Sequence, residues 1–287
     1  MDPLASLLTF SFALASPDSG ATSLDPGPSP ECPNDMRLVT GTHYDEVQHL
    51  CVSPQEDAKD THCFGYFEGI TALEGSVTPI RVCMDQYEAP NKKGARPFVM
   101  KSYKSAKKYC ADRGKRVCTE QEWETACEGP EYLPLAYGWS VDKKICNSDK
   151  RWMPVDWDKF RAPDDEANAE AERLWQGTPS GRFPGCASAF GIYDMMGNVE
   201  EWVTTSRPQW PYAPSLKGGY WSKPWSGCRG TNDSHGPMFR FYEIGFRCCA
   251  DPTVLQRNGA AGGTRTTTWA FKRSSSLTSQ MNRSVFR

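Results

Sequence analysis

Twelve cysteines in 287 residues constrain this chain more than any other feature of its sequence. No repeated CxxC pairs and no closely spaced Cys/His sets gather them into zinc sites. Disulfides made in an oxidising compartment are the expected use. The charged fraction is 24%, the hydrophobic fraction 38% and the net charge −2, an ordinary globular balance with enough apolar residues for one large core or two small ones. That balance points to neither a nucleic-acid nor a membrane surface. No run is long enough to span a bilayer.

Residues 4–15 form an apolar run ending in Ala13-Leu14-Ala15, an A-x-A cleavage pattern. Residues 1–15 are expected to be an export signal, giving a secreted or periplasmic protein. Met1-Asp2-Pro3 lacks the usual positive charge, so a mis-started, disordered N-terminus stays open. Residues 16–31, rich in Pro, Ser, Gly and Asp, read as a linker. From 32 to 90 the chain shows short strand-like runs at 36–39, 63–67 and 80–84, separated by glycines and prolines. Two helices follow. Residues 103–113 place Ala106, Tyr109 and Cys110 on one face and stop at Gly114. The second opens on the capping box Thr119-Glu120-Gln121-Glu122, carries Trp123, Ala126 and Cys127 on one side, and ends at Gly129-Pro130. Residues 131–183 read as long loops packed by their own aromatics, with a short helix at 167–174. After Ala250 the composition turns to Thr, Ser, Arg and Gly, a disordered tail over 251–287.

In FGIYDMMGNVEEWV, residues 190–203, extended runs flank a turn on Met196-Gly197-Asn198. Asp194 and Glu201 bracket that turn, where two carboxylates and the carbonyls between them can converge on one hard cation. Together with DQYEAPN (85–91), GKRVCTEQEW (114–123), Gly218-Gly219 and GFRC (245–248), this stretch resembles, in the same order, the sulfatase-modifying-factor or formylglycine-generating-enzyme domain. The resemblance covers residues 32–250. It implies a mixed α+β fold related to C-type lectins, with two main helices, small twisted sheets, and long loops braced by disulfides and calcium. It places a structural calcium on Asp194, the carbonyls of Gly197 and Val199, and Glu201. A second calcium would lie near Asn147 and residues 172–175, without a clear match for its aspartate. It also implies the bridges Cys110 to Cys248 and Cys127 to Cys228, each closing a long loop and contributing roughly 4 to 5 kcal/mol in the entropic model. The other eight cysteines permit on the order of a hundred pairings; Cys146 with Cys186 is the pair expected because both flank the loop region.

Formylglycine-generating enzymes hold copper with two cysteines placed shortly after the Gly-Gly pair. Here that stretch reads GGYWSKPWSGC (218–228) and contains no cysteine before Cys228. A soft two-thiolate set is what selects Cu(I), so copper is not expected. The related sulfoxide synthases use an HxxxHxE element, and His43, His49, His62 and His235 do not supply that spacing. Asp233, Ser234 and His235 are adjacent and cannot face one another as a catalytic triad. Lys115-Arg116 and the cluster Lys92, Lys93 and Arg96 read as solvated faces. A binding face remains, made of Tyr220, Trp221, Ser222, Lys223, Trp225 and Arg229, although its tryptophans serve equally well as core. The expected function is a monomeric module binding a protein, peptide or glycan, without formylglycine activity. A diverged metal-dependent oxidase is the alternative.

Overall fold

The computed structural model describes residues 26–52, 54–56, 61–205, 214–223 and 227–253. The expected export signal, most of the expected linker, the expected tail beyond Thr253, and Trp225 lie outside them. Described residues form a mixed α+β architecture, with two four-stranded sheets and a two-stranded ribbon.

The first sheet is dominated by two long strands, β1 (Met36–Cys51) and, after the short pair β2 (Pro54–Glu56) and β3 (Thr61–Cys63), β4 (Tyr66–Asp85). They pair antiparallel from Met36 opposite Asp85 to Cys51 opposite Tyr66, with irregularities beside Asp45 and Leu50. The sequence shows only the ends of this ribbon, because only the base has a buried face. Met36, Val39, Val82 and Met84 are fully buried, whereas residues 67–77 are largely exposed and carry no clean apolar alternation.

Helix α1 (Tyr103–Ala111) begins at Ser102, whose hydroxyl accepts from the Ser105 amide. Strand β5 (Arg116–Val117) leads into α2 (Glu120–Glu128), where both bonds of the Thr119–Glu122 capping box form. Helix α2 packs against β1 and β4 on one side and, on the other, against β6 (Glu200–Thr204) and β7 (Pro214–Lys217). The second sheet runs β8 (Thr231–Asn232), β7, β6, β9 (Ile244–Phe246), with β6 and β9 parallel. Strand β10 (Cys248–Ala250) returns to the first sheet between β4 and β5.

Two further helices, α3 (Trp157–Arg161) and α4 (Asp164–Leu174), occupy the stretch expected to be mostly loops. Helix α4 begins earlier than the expected residue 167, because Asp164, Asp165 and Glu166 fill its first turn and suit the positive end of the helix. It buries Ala167, Glu170, Ala171 and Leu174, a one-face pattern that the charged residues between them obscure. Residues 190–192, expected as an extended run, contribute no strand. A single bridge joins Ala187 to Tyr193 before the chain turns into β6.

All twelve cysteines are bonded. Cys110 joins Cys248, Cys127 joins Cys228, and Cys146 joins Cys186. The remaining pairs are Cys32 with Cys83, Cys51 with Cys63, and Cys118 with Cys249. Cys110 and Cys127 anchor the two helices, while Cys248 and Cys249 fix β10. The bridges thus restrain the frame on which the 190–232 region is mounted. No helix among the described residues is long and apolar enough to cross a membrane.

Candidate functional site

Strand β6 ends the glycine turn of the 190–203 stretch, and it carries two acids in succession that go to different surroundings. Because side chains alternate along a strand, Glu200 and Glu201 point to opposite faces. Glu201, 1% exposed, receives two bonds of 2.6 Å from the Arg247 guanidinium and one of 2.9 Å from the Trp123 indole N–H. Glu200, 3% exposed, faces a polar crevice of about 210 Å³ that is also lined by Gly219, Lys223, Thr231 and Asn232. The Lys223 ammonium lies 3.6 Å from Glu200, and the Asn232 amide donates to it at 3.4 Å.

Burial pushes the Glu200 carboxyl up, with Lys223 pulling the other way. Glu243, behind it, is raised well above the usual carboxylate range by burial and then by Glu200, and its Oε2 has no partner. The Tyr220 and Tyr242 hydroxyls are pushed up by burial, reinforced by Glu243. The crevice therefore combines an ammonium with carboxyl groups able to hold a proton, which suits hydrogen bonding to a small polar group and proton exchange with it.

The six residues expected to form one binding face separate. Lys223 lines the crevice and Tyr220 is half-buried beside it. Ser222 is buried, and its Oγ has no partner. Trp221 is fully buried and packs on Trp175, Tyr220 and Tyr242, so it is core rather than surface. Trp225 lies outside the described residues. Arg229 turns to α2, pairing with Glu128 and lying 3.1 Å from Glu124. The separation has a plain cause: α2 presents buried acids on the Arg229 side, and a buried carboxylate demands a cation.

The 194–201 turn depends on positive φ at Asp194, Gly197 and Asn198. A Cβ on Gly197 would meet the Asn147 carbonyl oxygen at 2.5 Å, so only glycine fits there. Asn198, fully buried, ties the loop down: its Oδ1 accepts from Asn147 and the Thr178 amide, and its Nδ2 donates to Glu88. Asp194 accepts from the Gly181 amide at 2.6 Å. Burial pushes Asp194 up to about 7, against the Gly181 bond and Arg247. Glu88 is raised well above its usual value by burial, then by Asp194 and Glu201.

The expected calcium ligands fit an ion in part. Asp194 sits among buried negative charge, with the Arg247 guanidinium acting against it. Glu201, in contrast, already has both oxygens engaged by Arg247. At the expected second site, the Asn147 Oδ1 is buried without a partner. Among the described residues, no three His, Cys, Asp or Glu side chains gather as a metal-holding group.

Reading the sequence missed Glu88 and Arg247, which hold the 194–201 turn, and Glu124, which faces Lys217 and Arg229. The first two lie in the DQYEAPN and GFRC motifs. Lys115 corrects an expectation. Rather than being solvated, it is 13% exposed and bonded to Asp85 at 2.7 Å and Asp35 at 3.0 Å, since Asp85 at the end of β4 is itself buried. Arg96 lies over the Trp175 ring at 4.1 Å.

Comparison with known proteins adds three findings. A family described as "Sulfatase-modifying factor enzyme 1-like domain" matches residues 33–252. Among curated proteins, a formylglycine-generating enzyme of Mycobacterium tuberculosis is 38% identical over 111 residues, covering 38% of this chain and 33% of that protein. An inactive C-alpha-formylglycine-generating enzyme 2 of Mus musculus is 32% identical over 162 residues, covering 54% of this chain and 49% of that protein. The chain thus spans half or less of the length of these relatives. The solved structure of PvdO from Pseudomonas aeruginosa is similar at 19% identity and a TM-score of 0.45, covering 75% of this chain and 94% of that one.

Proposed function

We propose a function from one premise: this chain belongs to the sulfatase-modifying factor enzyme 1-like domain family. In our reading it is an exported member that binds a protein, peptide or glycan and does not convert cysteine to formylglycine. The observation that carries this reading is the state of its sulfur. Every cysteine is in a disulfide, Cys228 is joined to Cys127, and residues 218–227 contain none. A two-thiolate copper site therefore has no ligands to draw on. The printed name of the mouse relative, an inactive enzyme, agrees with this reading. Six disulfides support export.

Binding centres on the Glu200–Lys223 crevice, whose ammonium and buried carboxyl would orient one polar group of the ligand. Calcium belongs to the proposal as a structural ion. Asp194 with the carbonyls of Gly197 and Val199 would hold it, Glu201 acting from its ion pair with Arg247, and it would supply positive charge to a region otherwise neutralised by protons on Asp194 and Glu88.

The test is incubation of the purified protein with a CxPxR peptide, copper and oxygen, with aldehyde captured by hydrazide. No aldehyde is expected, and its formation overturns the reading. In parallel, wild type and Lys223→Glu are applied to peptide and glycan arrays. Signals present for wild type and lost in the variant are expected, and identical signals would remove the crevice from the binding role.

The oxidase alternative keeps one observation in its favour. Two buried carboxyls with raised proton affinity beside a lysine are characteristic of catalytic sites as well as binding ones. Redox-active metal recovered in stoichiometric amount with the purified chain, together with oxygen consumption, would establish it.

A further inference from the structure

Six of the nine large apolar side chains exposed among the described residues cluster on or beside one ribbon: Leu50, Val52, Phe67, Ile70, Leu73 and Val77 on β1 and β4. The same outer part of the ribbon, residues 43–52 and 66–78, contains Asp45, Glu46, Glu68 and Glu74 and neither lysine nor arginine. Glu46 stands directly opposite Glu74 in the ladder, and like charges so placed destabilise a sheet. Strand β1 is the outermost strand of its sheet among the described residues; the Tyr132 hydroxyl and the Arg229 guanidinium donate to its Thr42, Tyr44 and Asp45 carbonyls, so the edge left for a further strand is the stretch beyond Asp45.

Beside this edge lies a cleft of about 990 Å³ between β1 and the start of α2. Asp45 and Glu46 line it from the ribbon, Glu120 and Glu124 from the helix, and His43 and Arg229 complete it. Arg229 is committed to Glu128 and Glu124. His43, 4% exposed, is bonded through Nε2 to Glu124 at 2.7 Å, and its Nδ1 has no partner. A cleft with an excess of acids, beside an unrelieved acid pair, is short of positive charge.

We propose that this cleft and the adjoining edge of β1 dock a basic, apolar-patterned segment of a partner protein, laid along β1 as an added strand. Charge complementarity selects the occupant. Cationic side chains every second residue would enter the acidic cleft and relieve Glu46 against Glu74, while the alternate apolar side chains, on the other face, cover Val47 and Leu73, which stand opposite each other in the ladder. A second copy of this chain would instead bring acid against acid. The cleft shares Thr231 with the Lys223 crevice, but the proposal does not depend on that reading.

The test uses the full chain and a fluorescent peptide of alternating lysine and valine, with an alternating glutamate and valine peptide as control, read by anisotropy at low and physiological salt. Saturable binding of the basic peptide alone is expected, weakening with salt. Glu46→Lys replaces a like pair with an opposite one and so leaves the ribbon folded; it is expected to weaken binding at least about tenfold, or about 1.4 kcal/mol. Leu73→Ser is expected to weaken it to a similar degree. Equal binding of both peptides, undiminished binding by Glu46→Lys, or self-association of the chain that Leu73→Ser abolishes would each overturn the proposal.

Discussion

Glu124→Gln is the substitution whose effect can be worked most fully from the structure. Glu124 is 6% exposed on α2 and faces the Lys217 ammonium at 2.6 Å, His43 at 2.7 Å and Arg229 at 3.1 Å. Burial alone would raise its carboxyl, but Lys217, His43 and Arg229 outweigh burial and hold it at about 2, against an ordinary 4.5. A folded-state value below the unfolded one contributes stability that is present above pH 4.5 and lost as pH falls through 2. The difference of 2.5 units corresponds to about 3 kcal/mol at pH 7, of which about 1.4 kcal/mol remains at pH 3. Glutamine keeps the shape and a hydrogen-bonding oxygen but cannot ionise, and it leaves Lys217, which is fully buried, with only the more distant Glu120 at 3.7 Å as counter-charge.

Urea unfolding with disulfides intact, at pH 7 and pH 3, reads the difference between variant and wild type. A loss of about 3 kcal/mol at pH 7 that shrinks by about 2 kcal/mol at pH 3 is expected. Adding Lys217→Met, which removes the stranded cation, is expected to restore part of it. A pH-independent loss, or one below about 1 kcal/mol at pH 7, would refute the argument that this buried network is held together by charge.

Three further outcomes follow from the same geometry. Replacing Cys127 and Cys228 by serine opens a loop with a sequence separation of 101 and should cost about 4 to 5 kcal/mol by urea unfolding, in the entropic model. Gly197→Ala should cost at least about 2 kcal/mol, since it combines positive φ with an alanine Cβ 2.5 Å from the Asn147 carbonyl oxygen. Added calcium at pH 7.5 should raise Tm by about 5 °C or more if bound well below its working concentration, and Asp194→Ala should abolish the shift. Superimposable melts with calcium and with chelator would mean that the Arg247 and Asn198 contacts steady the loop without an ion.

The sequence by itself determined the parts of this protein whose causes are local or carried by a motif. The capping box at Thr119 and Glu122 starts α2 because its two bonds span only three residues, and Ser102 starts α1 in the same way. The glycine at 197 is dictated by the backbone at that point. The missing cysteine between Gly219 and Cys228 is visible without any fold. Tertiary structure alone decided where the aromatic and charged residues of the 220–229 stretch would go. Trp221 turned into the core and Arg229 toward Glu128, because which side chain a buried carboxylate or an aromatic cluster captures depends on elements brought in from elsewhere in the chain, Trp175 for the tryptophan and Glu128 for the arginine. The outer ribbon was equally hidden: a two-stranded arm exposed on both faces has no apolar rhythm to betray it. The acidic cleft arises only when β1 and α2, joined by no motif, are packed side by side.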